Sequence, residues 1–187
     1  VDGFRLDHAW ASGGEGWGAT IGFWETWCSA LRAVRPDVFI FCEPSDWGNY
    51  GNDLLTPNAF DAVITKPWQF AARTAVINRA ASGLYSAMDS TVAAVPNGKT
   101  IVAQTSDHDA NRLASDFASN TARQKVAAAV LFTQPFPPNI YYGDEIGMKG
   151  TKAGGTTDAN DIPMREPFKW KAVAGAPMSN YQAITSG

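Results

Sequence analysis

The sequence predicts an α/β protein in which parallel strands alternate with helices, and three observations carry that expectation. Apolar runs of strand length recur between segments whose apolar residues fall at three-to-four spacing. Carboxylates stand at the ends of several of those runs. The chain has 187 residues, 45% of them apolar, enough to bury a sizeable core.

The elements follow in order. Val1-Asp2-Gly3-Phe4-Arg5-Leu6-Asp7 contains a short strand from Phe4 to Asp7. Ile21, Trp24, Trp27, Leu31 and Val34 recur at helical spacing, and Pro36 and Asp37 stop that helix. Val38 to Cys42 is a continuous apolar strand, and Asp61 to Thr65 a weaker one. The stretch from Gln69 to Met88 reads as mainly helical, with Gly83 as a break. Asn97-Gly98 marks a turn before a strand from Thr100 to Gln104. Thr121 to Phe132 is Ala-rich and helical, and Pro135, Pro137 and Pro138 punctuate before a last strand, Asn139 to Tyr142. The tail after Gly147 reads as loop. The order β-α-β-(β)-α-β-α-β is that of a parallel sheet with helical crossovers.

Composition excludes several functions. Fifteen Lys plus Arg against eighteen Asp plus Glu leave a net charge of −3, which offers no footprint for nucleic acid or an anionic membrane. No run approaches the roughly 20 apolar residues of a membrane span. Cys28, Cys42, His8 and His108 lack the spacing of a zinc finger or ribbon, and Cys42, inside an apolar run, reads as a small buried hydrophobe. Val1 is not an initiator Met and no leader precedes it, so the true N-terminus is expected upstream. The compartment stays open, with a secreted or periplasmic location favoured over a cytoplasmic one.

The strand ends are where chemistry is expected. Asp7 and Glu43 close two strands, and Asp109 follows a third. Unpaired charge is costly inside a sheet, whereas the carboxyl ends of parallel strands are where α/β proteins build their sites. Asp7 and Glu43 are about one strand-helix-strand unit apart, and Glu43 and Asp109 about two. The three acids are therefore expected at one end of the sheet. Alternation puts Arg5 on the face of Asp7, one pleat below and able to hold it ionised. Convergent carboxylates suit a divalent metal or a glycoside. Magnesium-type sites tend to pair acids with a phosphate loop, and none is evident. Glycoside cleavage needs one protonated carboxyl, one ionised carboxyl, and a third group to stabilise oxocarbenium-like charge.

Val1 to Asp7, Phe41-Cys42-Glu43 and Ser106-Asp107-His108-Asp109 resemble three signature segments of the alpha-amylase family, glycoside hydrolase family 13. Pro138 to Met148 is similar to the stretch at that family's eighth barrel strand, and Asp161 to Trp170 to the loop that follows in bacterial members. The resemblance runs in the family's order from end to end. It implies a partial TIM (β/α)8 barrel in which this chain supplies strands four to eight with their helices, 1–148, followed by a loop-rich segment, 149–187. It implies that Asp7 is the nucleophile, Glu43 the general acid/base and Asp109 the transition-state stabiliser. Arg5 would support the nucleophile, and His108 would hydrogen-bond the sugar. His8, beside Asp7, and Trp47, after Glu43, are further candidates for substrate contact.

The resemblance implies a retaining glycosidase for α-glucosidic bonds, most simply α-1,4, in starch-like glucans or maltooligosaccharides. Its two carboxyl groups should stand about 5–5.5 Å apart. An α-glucosidase, a sucrose- or trehalose-type glucosyltransferase, and a non-catalytic carbohydrate-binding barrel remain open alternatives. Calcium is implied by the family, with no ligand assigned here. The barrel's first half and a C-terminal β-domain are expected outside this chain. Departures from the family pattern are Trp10 and Ala11 where many amylases have Lys-His, Asp107 where Asn is common, and His8 after the nucleophile.

Other signals are set aside. Gly13 to Gly18 lacks the spacing of a dinucleotide loop and reads as a flexible loop, and Asn97 to Thr100 lacks the first glycine of a phosphate loop, Ala93 standing there. Asp144 and Glu145 read as loop residues that pair locally.

Overall fold

The computed structural model describes residues 1–11, 20–45, 47–48, 50–154 and 158–168. Five strands, β1 (Gly3–Ala9), β2 (Phe39–Pro44), β3 (Ala62–Ile64), β4 (Thr100–Gln104) and β5 (Pro138–Asn139), form one sheet in sequence order. The pairings β1–β2, β2–β3 and β3–β4 are parallel. Helices α1 (Ile21–Val34), α2 (Lys66–Asn78), α3 (Ser82–Ala94), α4 (Leu113–Asp116) and α5 (Thr121–Thr133) are interleaved with them. This is the architecture of a partial (β/α)8 barrel.

The middle strands β3 and β4 are apolar because both of their faces are covered, while β2 buries one face and leaves Phe39 exposed and Phe41 half-buried on the other. All three residues of β3 are buried, as are Ile101 to Gln104 of β4 and both Ile40 and Cys42 of β2. Cys28 and Cys42 are both free and buried. β1, at the edge of the sheet, is more open. It lies close against β2 at Gly3, where a Cβ would stand 2.4 Å from the Phe39 carbonyl oxygen. α1 turns Trp24 toward Phe60 and Trp27 toward Phe4, at ring separations of 5.3 and 6.1 Å. It ends where Arg35 N–H closes on Leu31 O at 2.9 Å and Pro36 cannot continue it.

By internal contact the chain divides into two compact units. The first comprises 1–71, 81–103 and 135–137, the second 72–80, 104–134 and 138–187. A core cluster of the first is Ala62, Ile64 and Val102, with Phe41 packed against it. One in the second is Val76, Leu113, Phe117 and Ala127.

Three local expectations need correction. The helical stretch 69–88 is two helices, and its break falls at 79–81, with Arg79 at φ 54°. Gly83 sits in the first turn of α3, where the structure leaves open space beside it. The last strand stops at Asn139: Tyr141 and Tyr142 leave the sheet because their rings flank the guanidinium of Arg112, at 4.5 and 4.7 Å. The tail is not all loop, since 158–164 forms a 3₁₀ helix. The Gly13–Gly18 loop, and Lys169 and Trp170, lie outside the described residues.

Candidate active site

The first unit gathers Arg5, Asp7 and Glu43. β1 and β2 run in register as far as Leu6 opposite Cys42, and the pairing then shifts before Ala9 meets Pro44. The irregularity coincides with His8 at φ 53°, a left-handed conformation that few non-glycine residues adopt. Bulges of this kind re-aim side chains at strand ends. Arg5 and Asp7 share a face, and Arg5 Nη1 donates to Asp7 Oδ1 at 2.6 Å. The same guanidinium donates through Nη2 to Glu43 Oε2 at 2.5 Å. One rigid fork therefore holds two carboxylates from neighbouring strands. Their surroundings differ: the Asp7 side chain is 69% exposed and that of Glu43 only 6%. His8 is exposed, with its ring edge-on to Trp10 at 5.6 Å.

Lys66 completes the surroundings of Glu43. Its Nζ stands 3.1 Å from Oε1 as an ion pair, and Oε1 accepts no hydrogen bond among the described residues. The same ammonium lies 4.3 Å from the ring centroid of Trp47, which packs on Phe70 at 6.2 Å. Lys66 is not marked by a pattern of acids at strand ends. Its signal is present all the same, as a charged residue just after the wholly apolar β3.

The second unit holds His108 and Asp109. A chain of hydrogen bonds, each 2.9 Å, runs from Asn139 Nδ2 to Gln104 Oε1, from Gln104 Nε2 to Asp107 Oδ2, and from Asp109 N–H to Asp107 Oδ1. The departure from Asn at position 107 has a local reason, because both of its carboxylate oxygens accept, whereas an amide has one acceptor atom. His108 Nε2 is 3.3 Å from Asp109 Oδ2. Arg165 Nη2 is 2.8 Å from Asp109 Oδ1 and 3.0 Å from Asp161 Oδ2. Arg165 lies in a segment the sequence picks out, but as a partner of Asp109 it is seen only in the structure.

Asp144 does not pair locally. Ser106 Oγ donates to its Oδ2, and Arg112 Nη1 lies 3.8 Å from its Oδ1. As for calcium, no group of three or more His, Cys, Asp and Glu side chains suited to a metal is found among the described residues. No step below runs through a calcium ion. No described helix is long and apolar enough to cross a membrane.

Parallel strands of a (β/α)8-type sheet ending in an arginine-bridged pair of carboxylates define a barrel catalytic domain. The sequence model of the family described as alpha amylase, catalytic domain, matches residues 15–183, and the chain belongs to the alpha-amylase family. Alpha-amylase 3 of Dictyoglomus thermophilum is 28% identical over 176 residues, which cover 91% of this chain and 33% of that protein. A cyclomaltodextrinase of Geobacillus thermopakistaniensis is 30% identical over 174 residues, covering 91% of this chain and 26% of that one. The crystal structure of alpha-amylase from H. orenii shares the fold, with a TM-score of 0.77 at 23% identity over 100% of this chain and 37% of its own. The chain thus spans a third or less of the length of the two curated relatives.

Proposed function

We propose that the complete protein is a retaining glycosidase acting on α-glucosidic, most simply α-1,4, bonds of starch-like glucans or maltooligosaccharides. The observation that carries this reading is the single Arg5 guanidinium shared by Asp7 and Glu43. It brings two carboxyl groups of unequal exposure to the ends of adjacent strands, the requirement for one group to attack and the other to shuttle a proton. Family membership supports the reading, as do the alpha-amylase and cyclomaltodextrinase names of the relatives.

In this mechanism Glu43 gives its proton to the glycosidic oxygen while Asp7, the open carboxylate, attacks the anomeric carbon. The C–O bond to the leaving sugar breaks and a glycosyl ester forms on Asp7. Glu43, now a carboxylate, takes a proton from water while the water oxygen bonds to the anomeric carbon; the ester bond to Asp7 breaks, Asp7 leaves as a carboxylate, and the sugar is released with its configuration retained. Asp109 serves as stabiliser of the oxocarbenium-like charge, and His108 as donor to a sugar hydroxyl. His8 and Trp47 are further substrate contacts, Trp47 through its half-open indole face.

The test uses the complete protein with maltooligosaccharides. Glu43→Gln and Asp7→Asn should each lower turnover by about 10³-fold or more, and the first product formed by the parent enzyme should be the α-anomer by NMR. An inverted product, or full turnover in either variant, overturns the proposal.

A further inference from the structure

We infer that Lys66 is a positioning residue for Glu43: it fixes the carboxyl through Oε1 and shares the negative charge that appears there when the proton passes to the leaving oxygen. The inference rests on Glu43 being the acid/base and goes beyond it by assigning a residue at the end of β3 to the same reaction.

The position of Lys66 is electrostatically poor without a counter-charge. Its side chain is only 3% exposed, and burial of an ammonium is costly unless it is paired. It is also the first residue of α2, where the partial positive charge of a helix N-terminus opposes a cation. Glu43 Oε1, at 3.1 Å, supplies the compensating charge whenever the carboxyl is ionised, as it is once the proton has been given up. The ammonium also lies 4.3 Å from the centroid of the Trp47 ring, an attraction of ring face for cation.

The two oxygens of Glu43 are thus held differently. Arg5 hydrogen-bonds Oε2, while Oε1 has the ion pair and no accepted hydrogen bond among the described residues. A carboxyl held by one cation can turn about its last torsion. Held by two, its plane is set. When Glu43 acts as an acid, the O–H bond breaks, the proton joins the glycosidic oxygen, and the electron pair stays on the carboxyl beside the Lys66 ammonium. Preorganised charge at that point lowers the barrier without reorganisation. A purely structural Lys66 would affect every substrate equally. A Lys66 acting through Glu43 matters most where the leaving group needs a proton.

The complete protein is assayed with maltopentaose and with α-maltosyl fluoride, whose fluoride departs with little acid help. Lys66→Met should lower kcat on maltopentaose about 10- to 100-fold with KM little changed, and lower kcat on the fluoride by less than about threefold. Lys66→Arg, which keeps the charge, should recover the maltopentaose rate to within about tenfold of the parent. If the Met variant fails to fold, Lys66→Gln takes its place in the same pair of assays. Equal losses on both substrates, or no loss on either, overturn the assignment of Lys66 while leaving the glycosidase reading intact. A parent enzyme inactive on both substrates overturns both.

Discussion

Ser106 donates its hydroxyl hydrogen to Asp144 Oδ2 although the two residues lie 38 positions apart. The bond ties the loop after β4, which carries His108 and Asp109, to the 3₁₀ turn Asp144–Ile146. Asp144 Oδ1 is buried and accepts no hydrogen bond among the described residues. Arg112, which holds Tyr142 O at 2.6 Å and Met164 O at 3.1 Å, stays 3.8 Å from it. Burial pushes the Asp144 carboxyl up from 3.8 to about 6, outweighing Ser106 and Arg112, which pull it down.

That shift makes stability pH-dependent with a definite sign. Between about pH 4 and 6 the folded protein keeps a proton that the unfolded chain has released, so stability falls as pH rises through this window. Asp144 favours folding fully below the window. Above it the buried charge costs up to about 3 kcal/mol. Asp144→Asn keeps an acceptor for Ser106 and removes the titration. Denaturant unfolding at a series of pH values should show the variant gaining on the parent from about pH 4 to 6, with a constant difference beyond. A difference that does not change with pH would refute the assignment.

Gly3 gives the opening segment its second constraint. A Cβ there would lie 2.4 Å from the Phe39 carbonyl oxygen and 3.3 Å from its carbon, and backbone atoms inside a sheet do not yield as a flexible side chain does. Gly3→Ala should push β1 away from β2 and cost about 1–3 kcal/mol. Because Arg5 rides on β1, the grip on Glu43 should loosen as well. Denaturant midpoints and turnover of the complete protein, measured together, should both fall. An unchanged midpoint would mean that the strands separate without cost.

What the sequence made legible was what burial writes into it. β3 and β4 are apolar runs because parallel strands are covered on both faces, β2 is apolar although one of its faces is partly open, and charge at the strand ends stands out by contrast. Arg5 and Asp7 were placed on one face by alternation alone, and their side chains meet. Where sequence and structure part, the physical reasons differ. Gly83 is the residue composition marks as a helix break, but the chain turns at Arg79, an arginine at positive φ that no composition rule marks. Tyr141 and Tyr142 have the composition of strand residues, but their rings lie against Arg112, 30 positions before Tyr142. Lys66 and Asp144 are charges whose meaning lies in what packs beside them.

The Arg5 fork should be irreplaceable even by another cation. Its Nη1 and Nη2 reach Asp7 and Glu43 separately at 2.6 and 2.5 Å, which uses the planarity of a guanidinium and two of its five donors. A lysine ammonium at this position is a point charge on a flexible stem and cannot set the orientation of two carboxyl planes at once. Arg5→Lys retains the net charge, so the ionic field of the site changes little while its geometry relaxes. Misplacement by about 1 Å at a reacting centre costs on the order of 10²-fold. The complete protein carrying Arg5→Lys should therefore lose about 10²-fold in kcat on maltooligosaccharides, with the denaturant midpoint close to the parent's. Because attack by Asp7 is impaired as well as proton transfer, the loss should extend to α-maltosyl fluoride, unlike that of the Lys66 variants. Loss confined to maltopentaose would show that Arg5 serves Glu43 alone and that its bond to Asp7 contributes nothing to attack.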